Sequence, residues 1–170
     1  YTNEVYLTYD SDGAGVKAAL RAIPILKEVG ITTKVINMRP YKDPDEFIKA
    51  LGAQEYEERI KKAENSFMFQ IRIMQAGYDM DDPESKTAFY NEIAKKLLGF
   101  TEELERTNYT QAVSREYSIP YDDLRKLVNS NQNRTNRMNN VLMGKHADEA
   151  TAVTMNKKRN EVGGYTSDAA

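Results

Sequence analysis

Two pairs of aspartates, each separated by a single residue, are the side chains in this sequence best suited to chemistry. Asp10 and Asp12 lie in the stretch YDSDGAG, and Asp43 and Asp45 lie in KDPDEF. No histidine or cysteine lies near either pair in the sequence. Because all the candidate ligands are carboxylate oxygens, magnesium or manganese is favoured over zinc. An acidic site that leaves room for phosphate oxygens suits metal-assisted phosphoryl or nucleotidyl transfer.

Residue spacing tests two other interpretations of YDSDGAG. An EF-hand calcium loop needs a bidentate carboxylate at its twelfth position, but counting from Asp10 as position one or three reaches Arg21 or Ala19. The calcium loop is therefore excluded. Gly13–Ala18 fits the dinucleotide fingerprint G-x-G-x-x-A. This interpretation is disfavoured because the next predicted strand ends without an acid to hold a ribose, and the two aspartates of YDSDGAG would repel a pyrophosphate.

A purely structural interpretation of YDSDGAG is also open. Asp12 can cap a helix, while Gly13 and Gly15 allow a tight turn. This interpretation does not explain why the same acid-x-acid spacing recurs at Asp43 and Asp45. Four converging carboxylates would repel one another by about 1 kcal/mol per pair at ~4 Å in water, and a divalent cation would reverse that cost. Spacing alone leaves both the capped turn and the metal site open.

The elements that must position these acids form a repeated strand, loop and helix. A β-favouring run that includes Val5 and Leu7 ends at Asp10, and Gly15 to Val29 then has helical periodicity. A second β-branched run covers Thr33 to Met38, followed by a helix that Asp43 caps. Two strands joined by a helix predict a parallel pair, so both acidic loops are expected at the carboxyl ends of neighbouring strands.

The remainder of the chain is predicted to be helical. From Ala53 onward no convincing strand is found, and apolar residues recur at helical spacing up to about residue 130. This half predicts an antiparallel helical bundle. Residues 131–170 are rich in asparagine and other polar residues, which predicts a polar linker or disordered tail.

Composition limits the classes of function. The chain has 170 residues, 40% of them hydrophobic, so it can bury a core. With a net charge of -2 it has no overall basic field, and any nucleic-acid contact must come from a local patch or through cations. The absence of cysteine excludes disulfides and thiolate zinc sites. The sequence predicts no membrane-spanning segment and no signal peptide, so a cytoplasmic location is expected.

Several stretches resemble one protein family. YDSDGAG looks like the D-x-D segment of a Toprim domain, and KDPDEFIKALGAQEYEERIKKAENSFMF resembles the segment that follows it in bacterial replicative DNA primases of the DnaG type. The region from DPESKTAFYNEIAKKLL to Tyr117 is similar to the helical subdomain of the primase core. The resemblance implies an α/β part, a partial Toprim domain at residues 1–63, followed by an all-α helical subdomain at residues 64–130.

The resemblance also implies an activity and a site. The expected function is RNA primer synthesis on a single-stranded DNA template from ribonucleoside triphosphates, with Mg²⁺ as cofactor and Mn²⁺ as its alternative. Asp10 and Asp12 would be catalytic metal ligands, and Asp43 and Asp45 would complete the metal-binding set. Lys42 or Arg39 would contact nucleotide phosphates. Replicative helicase would be contacted through a region outside this chain.

The chain departs from the primase pattern at its start. The catalytic glutamate strand of a Toprim domain and a zinc-binding domain are not found in the sequence. The expectation is therefore an interior fragment with little activity by itself. Two alternatives stay open at this point. One is a non-catalytic helical interaction module, and the other is a fragment of another Toprim enzyme, a nuclease or a topoisomerase.

Overall fold

A computed structural model describes residues 3–10 and 12–162 of the chain. The chain divides into two compact units, Tyr1–Phe89 and Tyr90–Ala170. The first unit contains β1 (Glu4–Tyr9), α1 (Gly13–Glu28), β2 (Thr32–Asn37), α2 (Pro44–Leu51), α3 (Ala53–Lys61), β3 (Glu64–Asn65) and α4 (Ser66–Gln75). Helix α5 (Pro83–Leu97) crosses the boundary, and the second unit continues with α6 (Glu103–Glu116) and α7 (Tyr121–Val162).

The first unit is built on a three-stranded sheet in the order β1-β2-β3. β1 and β2 are parallel, with Tyr9 opposite Asn37 at their carboxyl ends, as the strand–helix–strand pattern predicted. β3 pairs antiparallel with β2 through Glu64 and Asn65. The prediction that no strand follows Ala53 is therefore wrong. A two-residue strand is too short to show an alternating pattern in sequence.

Helices cover both faces of this sheet. Neighbouring residues of a strand point to opposite faces, so Val35 and Ile36 of β2 belong to different cores. On one face α1 and α4 pack on the strands, and the buried residues there are Tyr9, Ala19, Ile23, Val35 and Phe69. On the other face α2 and α3 enclose Ile36, Met38 and Phe47. The observed unit is thus a small α/β sandwich, consistent with the predicted partial Toprim domain.

Side-chain caps start the helices that follow the acidic loops. The Asp12 carboxylate accepts a hydrogen bond from the Gly15 N–H at 2.6 Å, and the Asp43 carboxylate accepts one from the Glu46 N–H at 2.9 Å. Each cap satisfies a backbone donor that has no partner within the helix. Both caps were predicted from the sequence. The capping interpretation of Asp12 is therefore confirmed, and it does not exclude a further role for the same side chain.

The second unit is entirely helical in its described part. Its buried apolar residues come from α5, α6, α7 and the segments between them: Ile93, Ala94, Leu97, Phe100, Val113, Ile119, Leu124 and Val128. Phe100 and Tyr109 stack with their ring centroids 4.1 Å apart. This agrees with the predicted division into an α/β part followed by an all-α part.

Residues 131–162 are helical, so of the predicted polar linker or disordered tail only the linker stays a prediction there. α7 continues as one helix from Tyr121 to Val162, although residues 133–160 are exposed. Its sequence contains no proline and a single glycine, Gly144, so nothing interrupts the helical backbone. The rest of the predicted tail, residues 163–170, lies outside the described residues. No helix in the described part of the chain is both long and apolar enough to cross a membrane.

The division between the two units along the chain also differs from the predicted boundary at residues 63 and 64. β3 completes the sheet, and Phe69 of α4 is buried against Tyr9 of β1. Residues after 63 therefore contribute to the first unit, which extends to Phe89. The difference has a physical cause, because a continuous run of helical periodicity does not reveal which core a helix packs against.

Replacing Phe47 by alanine should strongly destabilise the first unit. Phe47 is fully buried on the face covered by α2 and α3, and its ring contacts Tyr41 and Tyr56. We expect the free energy of unfolding to fall by about 3 to 5 kcal/mol, measured by urea denaturation. The matched control is Ile48→Ala at the next position of α2, whose side chain is 38% exposed. Equal losses in the two variants would contradict this assignment of the core.

Candidate functional site

The acidic loop after β1 and the loop after β2 meet in one crevice. The Met38 N–H donates to the Tyr9 carbonyl at 3.0 Å, which continues the parallel pairing one residue past β2. The chain then leaves both strands at the same edge of the sheet, as expected for parallel strands. The crevice has a volume of about 330 Å³ and is lined by Asp10, Asp12, Arg39, Pro40, Tyr41 and Lys42.

The two aspartates of this crevice interact directly. The Asp12 N–H donates to the Asp10 carboxylate at 3.3 Å. A hydrogen bond with the Asp12 carboxyl raises the pKa of Asp10, whereas the hydrogen bond from the Gly15 N–H lowers the pKa of Asp12. The two carboxyl groups thus lie close together, and their like charges repel each other. A bound cation would reduce this repulsion.

Gly15 is required by the position of Asp10. A Cβ atom at residue 15 would lie 2.5 Å from the Asp10 Oδ1 atom and 2.6 Å from the Asp10 carbonyl oxygen. No side chain larger than hydrogen fits without moving that carboxylate or its backbone. A Cβ atom at Gly13 would meet no heavy atom within 4 Å. The second glycine of YDSDGAG therefore serves the close approach of α1 to Asp10, and no pyrophosphate is needed to explain it.

Basic side chains form the opposite wall of the crevice. Arg39 and Lys42 both line it, and the charge of Lys42 acts to lower the pKa of Asp10. The loop that carries them is braced from α3: Arg59 donates to the carbonyl oxygens of Asn37 at 2.7 Å and Arg39 at 3.3 Å. The predicted phosphate contacts, Lys42 and Arg39, are thus placed beside the first acidic pair.

The second acidic pair does not join the first. Asp43 caps α2, and Asp45 forms an ion pair with Lys49 at 2.5 Å. Neither residue lines the crevice of Asp10 and Asp12. Within residues 3–10 and 12–162, no three acidic or histidine side chains are grouped so that they could hold a metal ion. The structure therefore does not bring the four carboxylates together, because the start of α2 uses both of these aspartates locally, and their role as metal ligands stays a prediction.

Two arginines that support the site were not predicted. Arg59 braces the loop after β2, and its guanidinium carbon lies 5.1 Å from the centre of the Phe47 ring. Arg72 of α4 donates to the Tyr9 hydroxyl at 3.2 Å and to Glu64 at 2.9 Å, and the Glu64 carboxylate raises its pKa. The contacts of Arg59 with Asn37 and of Arg72 with Tyr9 join residues distant in sequence, so no local pattern indicates them.

The donor chemistry of the crevice fits a magnesium or manganese ion. Mg²⁺ is commonly held by one or two carboxylates, with water and substrate phosphates as its other ligands. Asp10 and Asp12 provide two neighbouring carboxylates, and a divalent charge would relieve the repulsion between them. The crevice is open enough for phosphate oxygens, and Arg39 and Lys42 provide positive charge for them.

Two family models match separate parts of the chain. Residues 1–48 match a Toprim-like family, which covers β1, α1, β2 and the crevice. Residues 67–120 match the DnaB-helicase binding domain of primase. This second match lies inside the chain. The prediction from sequence was that the region contacting a helicase lies outside it.

Individual proteins agree with these matches. The chain is 28% identical to a DNA primase of Clostridium acetobutylicum over 144 residues, which is 82% of this chain and 24% of the relative. It spans about a quarter of the length of the curated primases it matches.

Solved structures of primases have the same fold. A DnaG catalytic core gives a TM-score of 0.57 at 23% identity and covers 72% of this chain and 41% of its own. The zinc-binding and RNA polymerase domains of Aquifex aeolicus primase give a TM-score of 0.50 at 28% identity and cover 73% of this chain and 29% of theirs. The chain is therefore similar in sequence and fold to parts of bacterial DNA primases, with a Toprim-like α/β part followed by a helical part.

Proposed function

We propose that this chain forms part of a primase that synthesises short RNA primers on single-stranded DNA by magnesium-dependent nucleotidyl transfer. The observation that carries the proposal is the crevice in which Asp10 and Asp12 face Arg39 and Lys42. Paired carboxylates beside cations suit a metal ion bound together with a nucleoside triphosphate. Relatedness to primases favours this function over that of a Toprim nuclease or topoisomerase. Such a role implies action in the bacterial cytoplasm.

Each charged residue of the crevice has a specific part in this proposal. Asp10 and Asp12 hold the cation, and the cap from Asp12 to the Gly15 N–H fixes the orientation of its carboxylate. Arg39 and Lys42 bind and orient the triphosphate of the incoming ribonucleotide. A metal ion held by Asp10 and Asp12 would supply Lewis-acid activation of a 3′-hydroxyl and neutralisation of charge on the leaving pyrophosphate. Asp43 and Asp45 were also predicted as ligands, and their capping and ion-pair contacts make them the weaker candidates.

Similarity to a solved structure supports the proposal that single-stranded DNA is the template. One solved structure that this chain resembles is described as a DnaG primase catalytic domain bound to single-stranded DNA, with a TM-score of 0.57 and 21% identity. That likeness concerns the fold. The chain has a net charge of -2, so a DNA strand cannot be held by its overall field. Template contact therefore depends on local positive surfaces or on the bound cation.

A helicase contact is the second proposal. It is favoured by the match of residues 67–120 to the DnaB-helicase binding domain of primase. That segment contains Leu104 of α6, a large apolar side chain that is 67% exposed. An exposed leucine can contribute an apolar contact to the core of a protein interface.

Manganese titration tests the acidic pair. The Asp10→Asn and Asp12→Asn variants keep an oxygen that can accept the hydrogen bonds observed at these positions but lose the negative charge. We expect each to bind Mn²⁺ at least about tenfold more weakly by calorimetry, because a hard cation needs carboxylate ligands. Primer synthesis should also fall when either substitution is made in the full-length protein that carries this chain.

The control for this titration is Asp43→Asn, which also retains an oxygen to cap its helix. Its Mn²⁺ affinity should stay close to that of the unaltered chain. An equal loss in Asp43→Asn would restore the predicted four-carboxylate site. Unchanged binding in all three variants would remove the metal assignment, and unchanged primer synthesis would remove the proposed function.

Substituting Gly15 by alanine tests the position of Asp10. The new Cβ atom would overlap the Asp10 carboxylate and carbonyl, so we expect Mn²⁺ affinity to fall and stability to fall by about 1 to 3 kcal/mol. Gly13→Ala is the matched control, because its Cβ atom would meet nothing. Thermal denaturation and metal titration of both variants measure the effects. A Gly15→Ala variant as stable and as tightly metal-bound as the control would contradict the crevice geometry.

Replacing Leu104 by serine tests the helicase proposal. We expect weaker binding of a DnaB-type helicase, measured by light scattering or surface plasmon resonance, because an apolar contact is lost. Leu51→Ser is the matched control: its side chain is 47% exposed and lies in α2, outside residues 67–120. Helicase binding that depends on Leu51 and not on Leu104 would place the contact elsewhere.

A further inference from the structure

One segment of the chain has an unusual local charge. Residues 124–147 contain five lysine or arginine residues and no aspartate or glutamate. The same segment contains six asparagines. The whole chain, in contrast, has a net charge of -2. All of this segment belongs to α7, so helical geometry places its side chains on defined faces.

Basic side chains of this segment lie around two neighbouring concavities in the second unit. One has a volume of about 390 Å³ and is lined by Lys126, Asn129, Ser130, Asn133, Arg134 and Arg137. The other, of about 660 Å³, adds Lys95 from α5 and Arg106 from α6 to residues of α7. Arg134 lines both concavities and therefore joins them. We call Arg106, Lys126, Arg134 and Arg137 the basic surface, since the charge of Lys95 is paired with Glu92 at 2.9 Å.

Neither concavity has an acidic residue in its lining. Lys126, Arg134 and Arg137 are exposed, and no ion pair joins any of them to an acidic side chain in the part of the chain that the structure describes. Lys126 and Arg137 lie on one face of α7, separated by about 16 Å of helix axis. Positive charge that is not neutralised internally attracts an anionic partner.

The polar residues between these cations narrow the class of anion. Asparagine, glutamine, serine and threonine commonly contact the phosphates and sugars of nucleic acids together with arginine and lysine. The linings contain Asn129, Asn133, Gln132, Ser130 and Thr135. No aromatic side chain lines either concavity, so neither has a platform on which bases could stack.

We propose that the basic surface binds the sugar–phosphate backbone of a nucleic acid without base specificity. The shared chemistry is a row of phosphodiesters, which a single strand, a DNA duplex and an RNA–DNA hybrid all provide. This site differs from the acidic crevice, which belongs to the first unit and would bind a metal ion. The proposal does not depend on catalysis, because it rests only on the charge and the side-chain composition of the second unit.

The experiment compares binding of fluorescent oligonucleotides to the full chain over a range of salt concentrations. The test variant replaces Lys126, Arg134 and Arg137 by glutamine. The matched control replaces Lys157, Lys158 and Arg159 by glutamine, which removes the same charge from the exposed end of the same helix. Circular dichroism confirms that both variants retain their helix content. The probes are single-stranded DNA, duplex DNA and an RNA–DNA hybrid of equal length.

For the test variant we expect at least about tenfold weaker binding at low salt and a shallower salt dependence. Each lost phosphate contact to a single strand should reduce the slope of log K against log salt by about 0.7. The probe bound most tightly identifies the source of the backbone. The proposal is overturned if the test variant and the control bind alike, or if polyglutamate of equal charge competes as well as the oligonucleotides. The latter result would indicate an acidic protein partner.

Discussion

The hydrogen bond from the Met38 N–H to the Tyr9 carbonyl determines where the candidate site lies. It continues the parallel pairing of β1 and β2 to the point where both strands end. Parallel strands present their carboxyl ends at one edge of a sheet, so the loops that follow must meet there. Asp10 and Asp12 enter from one loop and Arg39 and Lys42 from the other. The charged side chains of the crevice therefore lie close together because β1 and β2 run in the same direction.

In the loop after β1, the same side chain can cap a helix and bind a cation. Asp12 uses one carboxylate oxygen to cap α1, and that bond orients the side chain beside Asp10. Gly15 lets α1 approach so closely that the Asp10 carboxylate lies over its backbone. The cap and the metal site were competing interpretations of YDSDGAG in the sequence. In the folded chain they are compatible, because a carboxylate has a second oxygen that can bind a cation.

The sequence was sufficient for features that depend on neighbouring residues. Caps at Asp12 and Asp43 and the parallel pair could be predicted because their signals lie within a few residues of each other. The braces from Arg59 and Arg72 could not, since each reaches a residue at least twenty positions away. The position of Asp43 and Asp45 was misjudged for a related reason. Spacing identifies an acid-x-acid pair, but only the fold determines whether it faces the crevice.

The difference between what local sequence shows and what the fold determines also explains why the part of α7 beyond residue 130 was not predicted as a helix. Its asparagine-rich composition indicated little buried core, and residues 133–160 are indeed exposed. Lack of a core does not prevent a helix when neither proline nor repeated glycine interrupts the backbone. Side-chain hydroxyls of Thr135, Thr151 and Thr154 bond to carbonyl oxygens one turn earlier, so these polar residues are accommodated within the helix. A helical backbone then changes the meaning of the composition, because scattered lysines and arginines become neighbours on one face. Average charge is thus a poor guide to the partners of this chain, since acidic and basic groups concentrate on different elements.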